Sequence, residues 1–556
     1  MMHNLLGKEV RGRFGFPSGV ISTNSDTARL MLQNIPQLGF YVGKSTTIES
    51  REGNPEDIFV LPNPDSGWNA VGYTNPGLEE TIKGFCELKE SVPDDVFLMP
   101  QIGESDEGRF AYCAHKFDEL GDVVDGIEIN VSCPHAERGG ILIGSDPEIV
   151  HSVVSEVRKV TKKPLVVKLN AGVSDIEQIA RAAVDAGANA ISGINTLGGP
   201  NQELSNGFGG LSGAIIFPTT YKTIRRIRKA VDVPMIVMGG ISSASDIRKL
   251  DEIDKNFFYG IGTSLAELNS EQIEKYFLQL EVDLRNGSNL ALGMTRSKEA
   301  KQYHPFTVKK IVELSETLRL IKFNENIDAG PGQYVFLKVG DRNTKPFSVA
   351  NDEDGLELVV RKVGETTSMI FGLKENSVVR VRGPYGNDFR LPDDKTVIYV
   401  GAGCGIAPIH HAATHHKGRK IFVIGAKTKE ELVYLDNLSD MGEVYTATDD
   451  GSYGYQGFVS DLLNIQLSKG DFEKPYFFNC GPEIVMKLVD EIERRNTPSD
   501  YINHLVERMV SCGVGICGKC STPNGERSCV DGPVFSAAEF RPGKYTRGKT
   551  GEKIAI

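Results

Sequence analysis

From about residue 120 to 265 short apolar runs alternate with longer amphipathic stretches. Gly126-Ile-Glu-Ile-Asn130, Pro164-Leu-Val-Val-Lys168, Ala190-Ile-Ser-Gly-Ile194, Pro234-Met-Ile-Val-Met238 and Phe257-Phe-Tyr-Gly-Ile261 read as strands. Between them, Asp146 to Val160 and Asp175 to Ala186 have helical spacing. Repeated βα units of this kind predict a parallel sheet. The span 1–295 is long enough for a closed (β/α)8 barrel with extra loops rather than a small open sheet. Polar or glycine residues follow nearly every strand: Asn130 to Cys133, Lys168, Asn195 and Thr196, Gly239 and Gly240, Gly262 and Thr263. A barrel gathers such positions at one mouth, so they read as a site.

The pattern breaks into a polar, glycine-bearing stretch near the end of this span, and residues 296–304 read as a linker. Residues 305–392 carry short, β-branched, alternating runs such as Tyr334-Val-Phe-Leu-Lys-Val339, which predict a small antiparallel barrel. The βα alternation returns over 393–500, predicting an α/β nucleotide-binding domain. A cysteine-bearing segment, 501–556, follows. No internal repeat and no low-complexity tract interrupts this order.

Composition narrows the class. A chain of 556 residues with 40% hydrophobic residues and 60 glycines fits globular α/β material in several compact units. No apolar stretch reaches the roughly 18 residues of a membrane span, and no secretory signal opens the chain. The formal net charge of -12 argues against a broad nucleic-acid or membrane-binding face. Of nine cysteines, four cluster near the C-terminus and the rest are scattered, a reducing-compartment pattern; a cytoplasmic protein is expected.

The clustered four, Cys512, Cys517, Cys520 and Cys529, have the spacing C-x4-C-x2-C-x8-C. That is the spacing of a plant-type [2Fe-2S] site, in which four thiolates hold two irons. A zinc knuckle or disulfides are the alternatives, but the x4 gap departs from paired C-x2-C zinc spacing. Upstream, Lys345-Pro346-Phe347-Ser348, Gly364-Glu-Thr366-Thr367 and Gly383-Pro-Tyr-Gly386 offer a cation, hydroxyls and glycines for a flavin pyrophosphate. Singly each is a turn signal. In this order they resemble the FAD site of the ferredoxin-reductase family, with Lys345 standing where Arg is usual and keeping only its charge. After Val397-Ile-Tyr-Val400 comes Gly401-Ala-Gly403-Cys-Gly405-Ile-Ala-Pro408, a glycine turn opening a helix whose N-terminus suits a diphosphate. With Cys480-Gly-Pro482 at a later strand end, it resembles that family's nicotinamide site. Cys404 and Cys480 read equally well as packing. Together with Val506-Glu-Arg-Met and the cysteines through Cys529-Val-Asp-Gly-Pro-Val534, residues 304 to 540 resemble the electron-transfer subunit of NAD-linked dihydroorotate dehydrogenases.

In the first half the key segment is Glu128-Ile-Asn130-Val-Ser-Cys133-Pro-His135, just past a strand. A cysteine there reads as a buried thiol or, with a matched pKa, a base. Lys44 and Lys168 are fixed cations or solvated strand ends. Asn69 and Asn75, in Asn69-Ala-Val71-Gly72-Tyr73-Thr-Asn-Pro-Gly77, offer amides to a flat imide ring, or simply form turns. Their order resembles the barrel of class 1 dihydroorotate dehydrogenases over residues 8 to 290. That resemblance implies Cys133 as the base, and Lys44, Asn69, Val71, Gly72, Tyr73, Asn130, His135, Asn195 and Thr196 around the pyrimidine. It implies Ser18, Gly19, Lys44, Ser45, Asn130, Lys168 and Gly213 along FMN, with Gly239, Gly240, Gly262 and Thr263 at its phosphate. His135 stands where many members have Asn, and Cys-Pro-His followed by Glu-Arg-Gly139 also resembles dihydropyrimidine dehydrogenases, which act on uracil and thymine.

The expectation is therefore a fused dihydroorotate dehydrogenase of pyrimidine biosynthesis, passing electrons from FMN through [2Fe-2S] and FAD to NAD+. A reductase of uracil-like rings and a non-catalytic flavin and iron-sulfur redox protein are the rivals. Assemblies in the resembled family imply a homodimer, with no nucleic acid and no membrane as partner.

Overall fold

The computed structural model describes residues 2–63, 65–131, 140–296, 302–340, 343–470, 472 and 474–539. Cys133 and His135 lie outside the described residues. The chain divides into two compact units: Met1–Lys301 with Val514–Ser521 and Gly525–Arg527, and Gln302–Gly513 with Thr522–Asn524 and Ser528–Ile556.

In the first unit eight parallel strands close into a barrel, in the order Phe14–Phe16, Leu38–Thr46, Phe97–Ile102, Ile127–Asn130, Leu165–Leu169, Ala190–Gly193, Met235–Met238 and Phe258–Gly260. These strands read as unbroken apolar runs because both faces are covered, one by the barrel interior and one by helices. The helix Pro147–Val160 shows how the outer layer is specified. Asp146 caps it by accepting from the backbone N–H of Glu148 and Ile149, and Val150, Val153, Val154 and Val157 form its buried stripe. Inside the barrel Phe40, Val42, Phe97, Met99, Val166 and Ile236 are almost wholly buried and join Leu5 and Val10 of the hairpin His3–Leu5/Lys8–Val10 in one cluster. Burial of each large apolar side chain there contributes about 1.5–3 kcal/mol.

Two insertions at the carboxyl ends of barrel strands build a second, antiparallel sheet. Its order is Leu197–Pro200, Phe208–Ser212, Ser66–Asn69, Phe59–Asn63. This sheet, absent from the sequence reading, lies on the connections that form the barrel mouth.

The second unit holds two sheets. One is antiparallel and six-stranded, running Asn343–Ser348, Tyr334–Val339, Val378–Tyr385, His304–Ser315, Leu318–Phe323, Glu357–Arg361. Pro346 sits on its edge strand, where a missing N–H costs no ladder bond. The other has seven strands in the order Tyr455–Gln456, Glu443–Thr448, Lys420–Ala426, Val397–Ala402, Tyr476–Cys480, Ile502–Leu505, Val534–Ser536. All neighbours are parallel except the last pair. Strand order reverses at Val397–Ala402, so a crevice opens at its carboxyl end, where open α/β sheets bind nucleotides. The sheet runs past residue 500 because Ile502–Leu505 and Val534–Ser536 pair onto it, carrying the start and end of the cysteine segment.

Candidate functional site

At the barrel mouth the sequence places polar residues where apolar strands end, and they meet in one hydrogen-bonded set. Ser18 Oγ donates to Gln101 Oε1 at 2.9 Å, and Asn130 Nδ2 does so at 3.3 Å. Ser45 Oγ donates to the same oxygen, and Gln101 Nε2 in turn donates to Glu128. Ser192 Oγ donates to the other oxygen of Glu128 at 2.6 Å. Gln101, Glu128 and Ser192 are at most 1% exposed. A carboxylate so deep is kept satisfied by donors from two strands, and one of them, Gln101, also holds Ser45 and Asn130 through its oxygen. Lys168, 4% exposed, lies between Asn130 and Ser192 in the strand register. Sequence reading found Ser18, Ser45, Asn130 and Lys168 but missed Gln101, Glu128 and Ser192. The available signal was a polar side chain inside each otherwise apolar run.

The mouth sheet brings Asn69, Asn195 and Thr196 beside one another. Asn69 Nδ2 donates to Gly210 O at 3.0 Å, and Asn195 Oδ1 accepts from Thr196 N at 2.9 Å. A side chain at Gly210 would strike Thr196 Oγ1, which shows how closely the strands pack there. Gly72 and Tyr73 both take left-handed φ, 70° and 59°, in the turn after Val71. Asn75 is buried and spends its amide on the loop itself, bonding Thr47 Oγ1, Tyr73 O and Gly77 N. It is a turn former, and a ring would find no spare donor on it. Lys44 is half-buried on the strand that carries Ser45.

Gly213, Gly239 and Gly240 have φ of 95°, 106° and 77°. A Cβ on Gly240 would lie 2.6 Å from Phe217 N, the first residue of helix Phe217–Ala230, and 2.9 Å from Gly213 O. The position thus admits only glycine and leaves bare backbone facing a helix N-terminus, the chemistry of a phosphate cradle. Gly19 N donates to Ser22 Oγ at 2.9 Å. Thr263 follows Gly262 and gives its hydroxyl to Ser212 at 2.8 Å. These features fit FMN.

In the second unit Lys345 is exposed while Pro346, Phe347 and Ser348 are half-buried. Gly364 starts helix Glu365–Phe371, and Thr367 Oγ1 accepts from Val363 N and Gly364 N, both at 2.9 Å. Thr367 therefore orders the turn, and Thr366 beside it is half-buried. Across the sheet crevice, Gly401, Gly403 and Gly405 lead into helix Ile406–Thr414 with Pro408 in its first turn. Arg361 holds Glu431 through two bonds of 3.2 and 3.0 Å. Burial opposes the Glu431 carboxylate, but Arg361 outweighs it and its pKa is lowered. Burial raises Cys404, more than the Arg361 guanidinium lowers it, and pushes Cys480 well up. Both thiols stay protonated at neutral pH, and the packing reading suits them.

Cys512, Cys517, Cys520 and Cys529 are in no disulfide, and each is at most 5% exposed. Four reduced, buried cysteines are the donor set that an iron-sulfur cluster requires. Within the first unit the stretch Val514–Ser521 is held to the barrel's own loops. Ile21 N donates to Ile516 O at 2.7 Å, Glu267 N to Val514 O at 2.8 Å, and Arg527, wholly buried, donates to Gly515 O and Leu268 O. Among the described residues no helix is long and apolar enough to cross a membrane.

Comparison with known proteins agrees with this layout. Residues 1–253 match the family model of dihydroorotate dehydrogenase, 305–389 that of the oxidoreductase FAD-binding domain, and 507–541 that of the iron-sulfur cluster binding domain of dihydroorotate dehydrogenase B. The chain is 39% identical over 245 residues to a probable dihydroorotate dehydrogenase B (NAD(+)) electron transfer subunit of Pyrococcus horikoshii, covering 43% of this chain and 94% of the relative. It is 36% identical over 253 residues to a dihydroorotate dehydrogenase B (NAD(+)) catalytic subunit of Pelobacter propionicus, covering 44% of this chain and 81% of that one. A catalytic subunit of Thermoanaerobacter pseudethanolicus is 40% identical over 220 residues, 38% of this chain and 71% of the relative. The chain belongs to the dihydroorotate dehydrogenase B family, with counterparts of the catalytic and the electron transfer subunits joined in one polypeptide.

Proposed function

We propose that this chain oxidises dihydroorotate to orotate and delivers the two electrons to NAD+. The observation that carries the reading is the coexistence, in one chain, of a buried polar barrel mouth with a glycine phosphate cradle, of a nucleotide-type sheet and of four buried cysteines in no disulfide. FMN, the [2Fe-2S] cluster and FAD supply the redox chemistry, accepting hydride equivalents, passing electrons singly and returning hydride to NAD+. The chain's residues do the rest. Cys133 takes the C5 proton of dihydroorotate while hydride leaves C6, so one proton and one hydride are lost and a C5–C6 double bond forms. Lys44, Asn69, Asn195 and Thr196 orient the pyrimidine, with the turn Val71-Gly72-Tyr73 and His135 completing its pocket. Lys168 provides positive charge where negative charge accumulates. Gly213, Gly239, Gly240, Gly262 and Thr263 hold the FMN phosphate, and Ser18, Gly19, Ser45 and Asn130 line its ring. Lys345 to Ser348, Gly364, Thr366 and Thr367 hold FAD, while Gly401, Gly403, Gly405 and Pro408 form the nicotinamide nucleotide turn. Cys512, Cys517, Cys520 and Cys529 ligate the cluster. We assign the protein to the cytoplasm as a homodimer, a reading supported by the scattered, reducing-compartment pattern of its cysteines and by the resemblance.

An anaerobic titration tests this. Dihydroorotate should bleach the flavin and cluster absorbance, and NAD+ added afterwards should restore it with formation of NADH; bleaching by dihydrouracil or dihydrothymine but not by dihydroorotate, with NADH oxidation that depends on added uracil or thymine, would transfer the barrel to the dihydropyrimidine reaction. Cys133→Ser should lower turnover at pH 7 by at least about 100-fold, the usual contribution of a positioned base. Full turnover in that variant would remove Cys133 from the role.

A further inference from the structure

Four of the ten histidines lie within seven residues, His410, His411, His415 and His416, on and just after helix Ile406–Thr414. The nucleotide turn uses only the start of that helix, so its histidine-rich end is unexplained. Two of the four are structural. His410 Nδ1 bonds Ala350 O at 2.8 Å and its ring stacks on Tyr434 at 3.9 Å. His416 is held through Nδ1 by the Tyr399 hydroxyl at 3.0 Å and through Nε2 by Pro392 O at 3.2 Å.

His411 and His415 are different. Four residues apart, they share one helix face, and their ring centroids are 4.6 Å apart. Asp352 comes to them from the loop after the Lys345–Ser348 motif. Its Oδ1 is 3.2 Å from His411 Nε2, and its Oδ2 accepts from Ala329 N at 3.1 Å, which pins the carboxylate. His411 is wholly buried, and its Nδ1 has no hydrogen-bond partner. His415 is exposed, and its Nδ1 bonds His411 O at 2.9 Å, so Nδ1 is the donor and Nε2 carries a lone pair. One ligand atom from each of the three residues lies within 4.8 Å of the others.

We propose that Asp352, His411 and His415 form a binding site for a divalent transition-metal ion of the zinc type, separate from the cysteine cluster. Two imidazoles and one carboxylate are a donor set for Zn2+ and its late first-row neighbours, and the hard cations Ca2+ and Mg2+ prefer oxygen alone. Zinc bonds of about 2.0–2.1 Å put tetrahedral ligand atoms about 3.3–3.4 Å apart. At 3.2 Å the Asp352–His411 separation is already close to that value, and His415, exposed at the helix end, closes the remaining gap by a side-chain turn. The ion takes the place of the proton shared by His411 and Asp352, and solvent fills the fourth position through the exposed side. Because Asp352 follows the flavin-type sheet and the histidines belong to the nucleotide-type sheet, the ion would cross-link the two layers of this unit.

The test uses the full-length protein with flavins and cluster bound, and Zn2+ alone as probe. After equilibration at micromolar Zn2+ and gel filtration, elemental analysis should find one zinc per chain beside two irons. His415→Ala should lose that zinc, or bind it at least tenfold more weakly, with flavin, iron and NADH:ferricyanide activity unchanged. Asp352→Asn should weaken binding likewise. Zinc should raise the thermal midpoint of the parent and leave that of His415→Ala unmoved. Equal zinc content in parent and His415→Ala, or none in the parent, would overturn the proposal.

Discussion

Gly405 sits where helix Ile406–Thr414 leaves the nucleotide sheet, and a Cβ there would lie 2.3 Å from Cys480 O and 2.5 Å from Cys480 C. Both are backbone atoms of a central strand, so neither can move aside cheaply. Its φ of −63° is ordinary, which makes packing alone the reason for glycine. Gly405→Ala should cost about 1–3 kcal/mol by overpacking and displace the helix start. NADH:ferricyanide turnover should fall about tenfold or more, while dihydroorotate still bleaches FMN in the barrel. Gly364→Ala is the control for packing, since its Cβ meets nothing within 4 Å and its φ of −163° suits any residue. Thermal stability should be unchanged in that variant, so a drop in its FAD content would report the flavin itself passing close by.

At the scale of elements, strand Tyr476–Cys480 and helix Glu483–Glu493 enclose a polar cluster that neither flavin nor nucleotide explains. Glu493, wholly buried, accepts from Asn479 Nδ2 at 2.7 Å, while its Oε1 and Asn479 Oδ1 have no partner. Burial raises the Glu493 pKa well above its ordinary 4.5, further than Asn479 and Arg494 lower it. The folded state therefore holds the proton more tightly than the unfolded chain does. Stability from this group is complete below pH 4.5 and is lost as pH rises through the folded value. Glu493→Gln removes that loss, so its thermal midpoint should exceed the parent's, with a gap that widens from pH 5 to pH 8. A constant or reversed gap would mean that the carboxylate is ionised and well paired. The same elements show what was legible. Strands such as Leu165–Leu169 and Met235–Met238 were readable because burial on both faces leaves a plain apolar run. The mouth strands Leu197-Gly-Gly-Pro200 and Phe208-Gly-Gly-Leu-Ser212 carry no alternation, since glycines let them pack closely, and they left no signal. Gln101 and Glu128 were hidden for a related reason. Gln101 is one polar residue in an apolar strand and Glu128 stands between two isoleucines, and only closure of the barrel brings them together.

For the whole molecule, the decisive fact is that functions found in relatives as separate subunits occupy one chain. Fusion fixes their ratio at one to one. Sequence spacing revealed the tetrad, but the grouping of Val514–Ser521 with the barrel unit depends on bonds such as Ile21 N to Ile516 O, nearly five hundred residues apart, which no local pattern encodes. Cys517 and Cys520 lie in that stretch. If electrons leave the barrel through the cluster, Cys517→Ser should separate two reactions that the parent couples. Dihydroorotate should still reduce FMN at near the parent rate, and NADH should still reduce FAD. NAD+ reduction by dihydroorotate should fall to background, because the variant lacks one of the four thiolates that a [2Fe-2S] carrier needs. Stopped-flow absorbance under anaerobic conditions distinguishes the steps. Simultaneous loss of FMN reduction would mean that the cysteine segment is needed for the barrel's fold, and undiminished NAD+ reduction would mean that electrons bypass the cluster.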